Sequence, residues 1–350
     1  MSGPHGRRGL ALLLAVTAAL AVGTTTRAAD SAHAKRLTVL GLGQGAMSVR
    51  SRVLTRPTRK LAAQPGAWGG TYNVRSGAHV TVYSSRYYAV DNAVNQAAAD
   101  FVDSLVHGTE IGTVKIYFAP PDEVKILCYS PDVEGCYFTA TSEIITVGED
   151  TSFSTVEEVL AHEYGHHVAN NRNNHPWPAF AYGTKRWATY KGICPKAAAG
   201  QVFPGDEGAH YLQNPGESFA ESYLHLNEAK LGMPETPWFY DPALAPDAGA
   251  LAAIEQDVLK PWKDDIIKRW RGSFARRGQQ KTFSFKTPLD GVFAAEVIGP
   301  RGSSLRVNGA ADVKRMSPTL SAALICGQRS VSARFSAGGK GRFAGAVAIP

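Results

Sequence analysis

The stretch that decides the fold is His162-Glu163-Tyr164-Gly165-His166, which fits the pattern His-Glu-x-x-His. Residues four apart lie on one face of a helix, so His162 and His166 can reach the same metal ion. Two imidazoles can hold Zn²⁺, which lowers the pKa of a bound water, and Glu163 would take the proton of that water. The pattern therefore predicts a catalytic zinc ion. The alternative is a surface helix that carries His and Glu by chance.

Local signals place this motif within a helix over residues 155–170. Ser154 stands three residues before Glu157, and Thr155 stands three before Glu158, so either pair can form a capping box. An Asn-rich run ends the helix. The motif therefore lies in the second and third turns, which is the context that it needs.

A second helix is predicted at Asn214-Pro215-Gly216-Glu217, because Asn favours the N-cap and Pro the first turn. Glu217 and Glu221 are four residues apart and share one face of this helix. A catalytic zinc site needs three protein ligands. The metzincin extension, Gly three and His six residues after the second His, is absent, because Ala169 and Arg172 occupy those positions.

The combination of His-Glu-x-Gly-His at residues 162–166 with Glu-x-Phe-Ala-Glu at residues 217–221 resembles the gluzincin metallopeptidases. Within them it is most similar to the anthrax-toxin lethal-factor type. The resemblance covers two helices and not the whole chain. It implies that His162, His166 and Glu217 are the zinc ligands and that Glu163 is the general base.

The same resemblance implies that Glu221 holds a ligand imidazole by its other nitrogen. It also implies a Tyr shortly before the ligand Glu that stabilises the oxyanion, for which Tyr211 and its neighbour His210 are the candidates. Other interpretations stay open. Glu217 can be a helix-capping carboxylate, with Glu221 as the next candidate ligand, and Tyr211 can be a packed aromatic side chain.

The hydrophobic pattern predicts an α+β fold that ends in a small all-β, sandwich-like domain, and the resemblance implies that the domain before it is a zincin-like metallopeptidase domain. The domain boundaries are a signal peptide at 1–29, a linker or pro-segment at 30–70, the zinc domain at 71–278 and the β-domain at 279–350. Strands are expected at 80–83, 114–118, 124–128 and 144–147, and further helices at 92–106, 248–259 and 264–273. The strand at 144–147 is a candidate cleft edge for an extended peptide.

A basic start, a short apolar run and small residues predict a secretory signal peptide, with an uncleaved anchor as the alternative. No other stretch is long and apolar enough to span a bilayer. Cysteines at 128, 136, 194 and 326 suggest two disulfides in an exported chain. Three pairings are possible. The turn-rich segment between Cys128 and Cys136 favours their pairing, which leaves Cys194 with Cys326.

The net charge is +7, without a nucleic-acid motif, so nucleic acid is not an expected partner. The basic residues can form a solvated face or adhere weakly to acidic surface polymers. These features predict a secreted zinc peptidase that acts on peptides or proteins. The rivals are a non-catalytic exported cell-surface or glycan-binding protein with a structural zinc site, and a hydrolase of non-peptide amides.

Overall fold

The structure is a computed structural model that describes residues 51–57 and 64–350. The predicted signal peptide at 1–29 lies outside the described residues, as do residues 30–50 and 58–63 of the predicted linker or pro-segment. Among the described residues, no helix combines the length and the apolar character that crossing a membrane requires.

The amino-terminal part contains a six-stranded mixed sheet. Its strands are β1 (Val53–Leu54), β2 (Trp68–Asn73), β3 (His79–Ser84), β4 (Lys115–Ala119), β5 (Gly135–Phe138) and β6 (Glu143–Val147). Their order across the sheet is β1-β5-β6-β4-β3-β2. Strands β3, β4 and β6 run parallel to one another, whereas β5 is antiparallel to β6. The short strand β1 pairs with β5 in the parallel sense.

Helices pack against this sheet and against one another. They are α1 (Asn92–Ser104), α2 (Pro121–Leu127), α3 (Val156–Asn170), α4 (Ala179–Tyr182), α5 (Lys185–Tyr190), α6 (Ile193–Ala198), α7 (Pro215–Leu231) and α8 (Ala248–Leu259). Short 3₁₀ helices span Thr109–Thr113, Tyr211–Gln213 and Pro242–Leu244. Helix α3 packs between β5 and β6 on one side and α7 on the other. The mixture of helices and sheets agrees with the predicted α+β class.

Helix α3 begins where the sequence signals placed it. Thr155 is the N-cap, and its side chain accepts a hydrogen bond from the Glu158 amide, while the Glu158 side chain accepts one from the Thr155 amide. The capping box is therefore formed by this pair. Helix α7 has Asn214 as its N-cap and Pro215 in its first turn, also as predicted.

After α8 the described part of the chain forms strands without further helices, and these strands form two antiparallel sheets. They are β7 (Ile266–Phe274), β8 (Gln280–Lys286), β9 (Gly291–Ile298), β10 (Ser304–Asn308), β11 (Asp312–Ser317), β12 (Leu320–Ile325), β13 (Ser330–Ser336) and β14 (Gly341–Ile349). One sheet has the order β10-β13-β8, and the other has the order β11-β12-β9-β14-β7. Aromatic side chains from both sheets, including Phe285 and Phe293, share one hydrophobic core.

Three local predictions are wrong. Residues 124–128, expected as a strand, belong to α2, which Pro121 and two acidic residues in the first turn begin. Residues 264–273, expected as a helix, form β7, which pairs along its whole length with β14. Strand β6 is not a sheet edge, because β5 lies between it and the edge.

Part of the segment 30–70, expected to lack regular structure, is built into the sheet. β1 pairs with β5, and β2 begins at Trp68. The amides of Tyr137, Thr139 and Ala140 donate to the carbonyl oxygens of residues 52, 54 and 55. Hydrogen bonds to a strand that lies far away in sequence therefore order these residues.

Both predicted disulfides are present, Cys128–Cys136 and Cys194–Cys326. The first closes the turn between α2 and β5. The second joins α6 to the residue that follows β12 and links the helical part to the β part, across 132 positions of sequence. Two disulfides with no free cysteine are typical of proteins that reside in an oxidising compartment.

Candidate metal centre

The site lies where α3 crosses α7, and Gly165 allows the close approach. A Cβ at this position would lie 2.9 Å from the Ala220 Cα and 3.1 Å from its carbonyl oxygen. His162 and His166 flank Gly165 on α3, and Glu217 and Glu221 flank Ala220 on α7 at the same offsets. The tight crossing therefore brings two His-containing turns and two Glu-containing turns face to face.

Three side chains at this crossing can hold one metal ion. The candidate ligand atoms of His162, His166 and Glu217 all lie within 4.8 Å of one another, and all three residues are buried. The two Glu217 carboxylate oxygens lie 3.3 Å from His162 Nε2 and 3.3 Å from His166 Nε2, respectively. Two imidazole nitrogens and a carboxylate that converge on one point are a donor set suited to a divalent transition metal.

Glu221 supports the cluster from behind. Its Oε2 lies 2.8 Å from His162 Nδ1, the ring nitrogen that faces away from Glu217. This contact orients the imidazole, so that Nε2 is directed toward the other candidate ligands. The structure therefore separates the two glutamates, with Glu217 between the imidazoles and Glu221 on the far side of one of them.

Imidazole and carboxylate side chains alternate in the cluster, and each shifts the pKa of its neighbours. Burial opposes a charge on His162, but hydrogen bonds and the charges of Glu217 and Glu221 outweigh it and raise the pKa of His162 to about 10. Burial likewise opposes ionisation of Glu217, yet the two imidazoles hold its pKa below the usual range. Burial lowers the pKa of His166, against the opposing effect of the Glu217 charge.

Glu163 is fully buried beside these groups, and the Ser51 hydroxyl is the polar neighbour of its carboxylate. Strand β5 confines it, because a Cβ at Gly135 would lie 2.5 Å from Glu163 Oε1. Burial raises the pKa of Glu163 to about 8, against the opposing effects of His162 and the Ser51 hydroxyl. A carboxylate held here can exchange a proton with a group at the metal position.

Of the two candidates near residue 211, the structure brings only Tyr211 to the cluster. Its hydroxyl donates to Glu217 Oε2 at 2.9 Å and lies 3.3 Å from the Tyr240 hydroxyl. Burial and the Glu217 charge keep its pKa well above the ordinary value, so the phenol remains a proton donor. His210 instead contacts Asp206 Oδ2 at 2.8 Å and stacks on Phe203.

The residues present fit a divalent cation. Buried polar atoms without partners are rare in native proteins because each costs free energy. Here Glu217 Oε1 has no hydrogen bond, and the Glu163 carboxylate lies in the same buried cluster. A cation among His162, His166 and Glu217 would neutralise this excess of carboxylate.

Sequence reasoning missed two residues that meet the site. The Ser51 hydroxyl lies 3.3 Å from His166 Nε2, and the Ser51 amide donates to the Tyr211 hydroxyl at 2.9 Å. Glu207 is half-buried, accepts a hydrogen bond from the Asn214 side-chain amide at 3.2 Å, and faces the Val53 amide. No local motif marks either residue, because both reach the site through contacts between distant segments.

No protein-family model and no curated protein sequence matches this chain. Among solved structures, the chain is similar to a family GH115 4-O-methyl-α-glucuronidase described as specific for decorated arabinogalactans. That alignment has 13% identity and a TM-score of 0.17, and it covers 55% of this chain and 39% of the other. A likeness of this size carries no argument about fold or function.

Proposed function

We propose that this chain is an exported zinc-dependent peptidase of zincin-like fold. The observation that carries the proposal is the buried Glu163 carboxylate, which lies beside the His162, His166 and Glu217 cluster without belonging to it. A purely structural metal site needs ligands but no additional base. The identification of the metal as zinc rests on the two imidazoles and one carboxylate.

The proposed chemistry assigns one task to each side chain. A Zn²⁺ ion held by His162, His166 and Glu217 would supply Lewis acidity toward a carbonyl oxygen and a water molecule. Glu163 accepts the proton of the attacking water at its carboxylate and transfers it to the leaving amine. The neutral Tyr211 hydroxyl now donates its one hydrogen to Glu217 Oε2 and would turn to donate it to the oxyanion that forms on the carbonyl.

A peptide is the favoured substrate because strand β5 lies against the base and can pair with an extended chain. Strand β5 is antiparallel to the neighbouring β6 and passes next to the Glu163 carboxylate at Gly135. On its other side β5 pairs with the two-residue strand β1, which is the edge of the sheet. An extended peptide in the place of β1 would form backbone hydrogen bonds with β5 beside the cluster.

The test is Glu163→Gln, with zinc content and peptide hydrolysis both measured. We expect zinc to be retained and hydrolysis to fall by about 100-fold or more, because Gln cannot accept the proton. The matched control is Glu157→Gln on the same helix, outside the cluster. Full activity in Glu163→Gln would contradict the proposed base.

A further inference from the structure

The residues of the proposed centre are closed off from solvent. His162, Glu163, His166 and Glu217 are each 0% exposed. A substrate cannot reach side chains that are buried in this way unless something that covers them moves. The covering residue next to the cluster is Ser51, itself 3% exposed.

Residues 51–55 lie along the strand edge that the proposed function assigns to substrate. On one side, the carbonyl oxygens of Arg52, Leu54 and Thr55 accept hydrogen bonds from the amides of residues 137, 139 and 140 at 2.8 to 3.0 Å. On the other side, the Ser51 amide donates to Tyr211 and the Val53 amide faces Glu207. The segment is thus held by its backbone from both sides, as an extended peptide ligand would be.

Side chains extend this arrangement. The Ser51 hydroxyl lies 3.3 Å from His166 Nε2 and next to the Glu163 carboxylate, between a candidate ligand and the candidate base. The Arg52 guanidinium donates to the Tyr129 carbonyl oxygen at 2.8 Å. Ser51, Arg52, Tyr129, Glu207 and Tyr211 also line one cavity of about 660 Å³ beside the centre. The cavity therefore adjoins Ser51 and Tyr211, the two residues that contact the covered cluster.

We propose that residues 51–55 are an intramolecular ligand that occupies the peptide-binding groove and must leave before a substrate can bind. The claim that a substrate binds in this groove rests on the proposed function. The claim that residues 51–55 occupy the groove does not. Backbone contacts dominate the interaction, so the groove recognises an extended chain rather than a particular side chain. The Ser51 hydroxyl fills the space in front of Glu163, and its departure opens the centre.

The test uses the full chain with a site for a sequence-specific protease inserted into residues 58–63, which join Pro57 to Gln64. Amide hydrogen exchange at Tyr137, Thr139 and Ala140 is followed before and after cutting, in protein without metal. We expect exchange at these amides to accelerate about tenfold or more after cutting, because their acceptors are lost. A synthetic peptide of residues 50–57, added in excess, should restore the slow exchange.

A second arm needs no insertion. Val53→Pro removes the amide hydrogen that faces Glu207, whereas Val53→Ala keeps it and serves as the matched control. We expect Val53→Pro alone to accelerate exchange at Tyr137 and Thr139. Slow exchange both in the cut chain and in Val53→Pro would overturn the proposal.

Peptide hydrolysis separates the two claims. A rise of about tenfold or more on cutting, reversed by the added peptide, supports both occupancy and peptidase function. Accelerated exchange with bound zinc but no hydrolysis supports the occupancy and contradicts the function. Equal hydrolysis by cut and uncut chains supports the function and overturns the occupancy.

Discussion

Substitution of Gly165 by Ala tests whether the helix crossing builds the metal centre. The new Cβ would lie 2.9 Å from the Ala220 Cα, 3.1 Å from its carbonyl oxygen and 3.3 Å from its Cβ. Two of these atoms belong to backbone, which no side-chain rotation can move. Ordinary carbon contacts are about 3.5 to 4.0 Å, so α3 and α7 must separate by about 0.6 to 1 Å.

Overpacking and the loss of a helical glycine have opposite effects on the free energy of unfolding. Only overpacking affects metal binding. Overpacking costs about 1 to 3 kcal/mol, whereas replacing Gly within a helix gains up to about 1 kcal/mol. The net loss in the metal-free protein is therefore about 0 to 3 kcal/mol. Zinc ligands tolerate displacements of only about 0.2 Å. Glu217 moves with α7 away from His162 and His166, so zinc affinity should fall by about 100-fold.

The assay is a competition with a chromogenic zinc chelator, combined with urea unfolding of the metal-free protein. Gly249→Ala in α8 is the matched control, because its new Cβ meets the side chain of Tyr190, which is 54% exposed and free to move. This control should bind zinc as the unaltered chain does. Zinc affinity within twofold of the unaltered chain in Gly165→Ala would refute the crossing argument.

Three further predictions concern the support of the centre and the stability of the chain. Glu221→Ala should lower zinc affinity by about 10- to 100-fold, because His162 loses its 2.8 Å partner; unchanged affinity in chelator competition would contradict this role. Burial lowers the pKa of Lys185 to about 8 from 10.5, so between these values the unfolded chain holds more protons and stability rises with pH. Urea unfolding at pH 7 and pH 10 should show a rise about 2 kcal/mol larger than in Lys185→Met, and an equal rise in both would argue against this lysine. Replacing Cys194 and Cys326 by Ser should lower the free energy of unfolding by about 5 kcal/mol, against about 2.5 kcal/mol for Cys128 and Cys136. The difference arises because the bridged residues are 132 rather than 8 positions apart. Equal losses in denaturant midpoint would contradict loop entropy as the cause.

The parts of the site that depend on helix periodicity could be predicted from the sequence. The spacing of His162 and His166 and the capping box at Thr155 are local features that require only one helix. The pairing of this helix with the one that carries Glu217 required a resemblance, because the two motifs are 51 positions apart. The close approach at Gly165 explains physically why the two helices meet.

The errors arise where a distant partner decides the structure. Strand β7 alternates weakly and carries exposed residues at Ile266 and Ile267, yet β14, some 70 residues later, pairs with it throughout. Helix α2 was mistaken for a strand because its aliphatic residues outweighed the Pro121 start signal. The position of β6 within the sheet depends on the insertion of β5, which no local pattern encodes.

The segment at Ser51 shows the same limit at the site itself. Its sequence is basic and polar around Val53 and Leu54, which gives little reason to expect a strand. The carbonyl oxygens that it offers to β5 are present in every residue, so side-chain chemistry does not reveal the pairing. Only the arrangement in space shows that it meets Tyr211 and His166.

The Cys194–Cys326 bridge also changes what happens when the chain is nicked. The peptide backbone joins the helical and β parts through residues 260–265, between α8 and β7. A break there would leave both halves covalently attached through sulfur. The β-sheets would then stay joined to the helical part after proteolysis of the connecting stretch, until a reductant cleaved the disulfide.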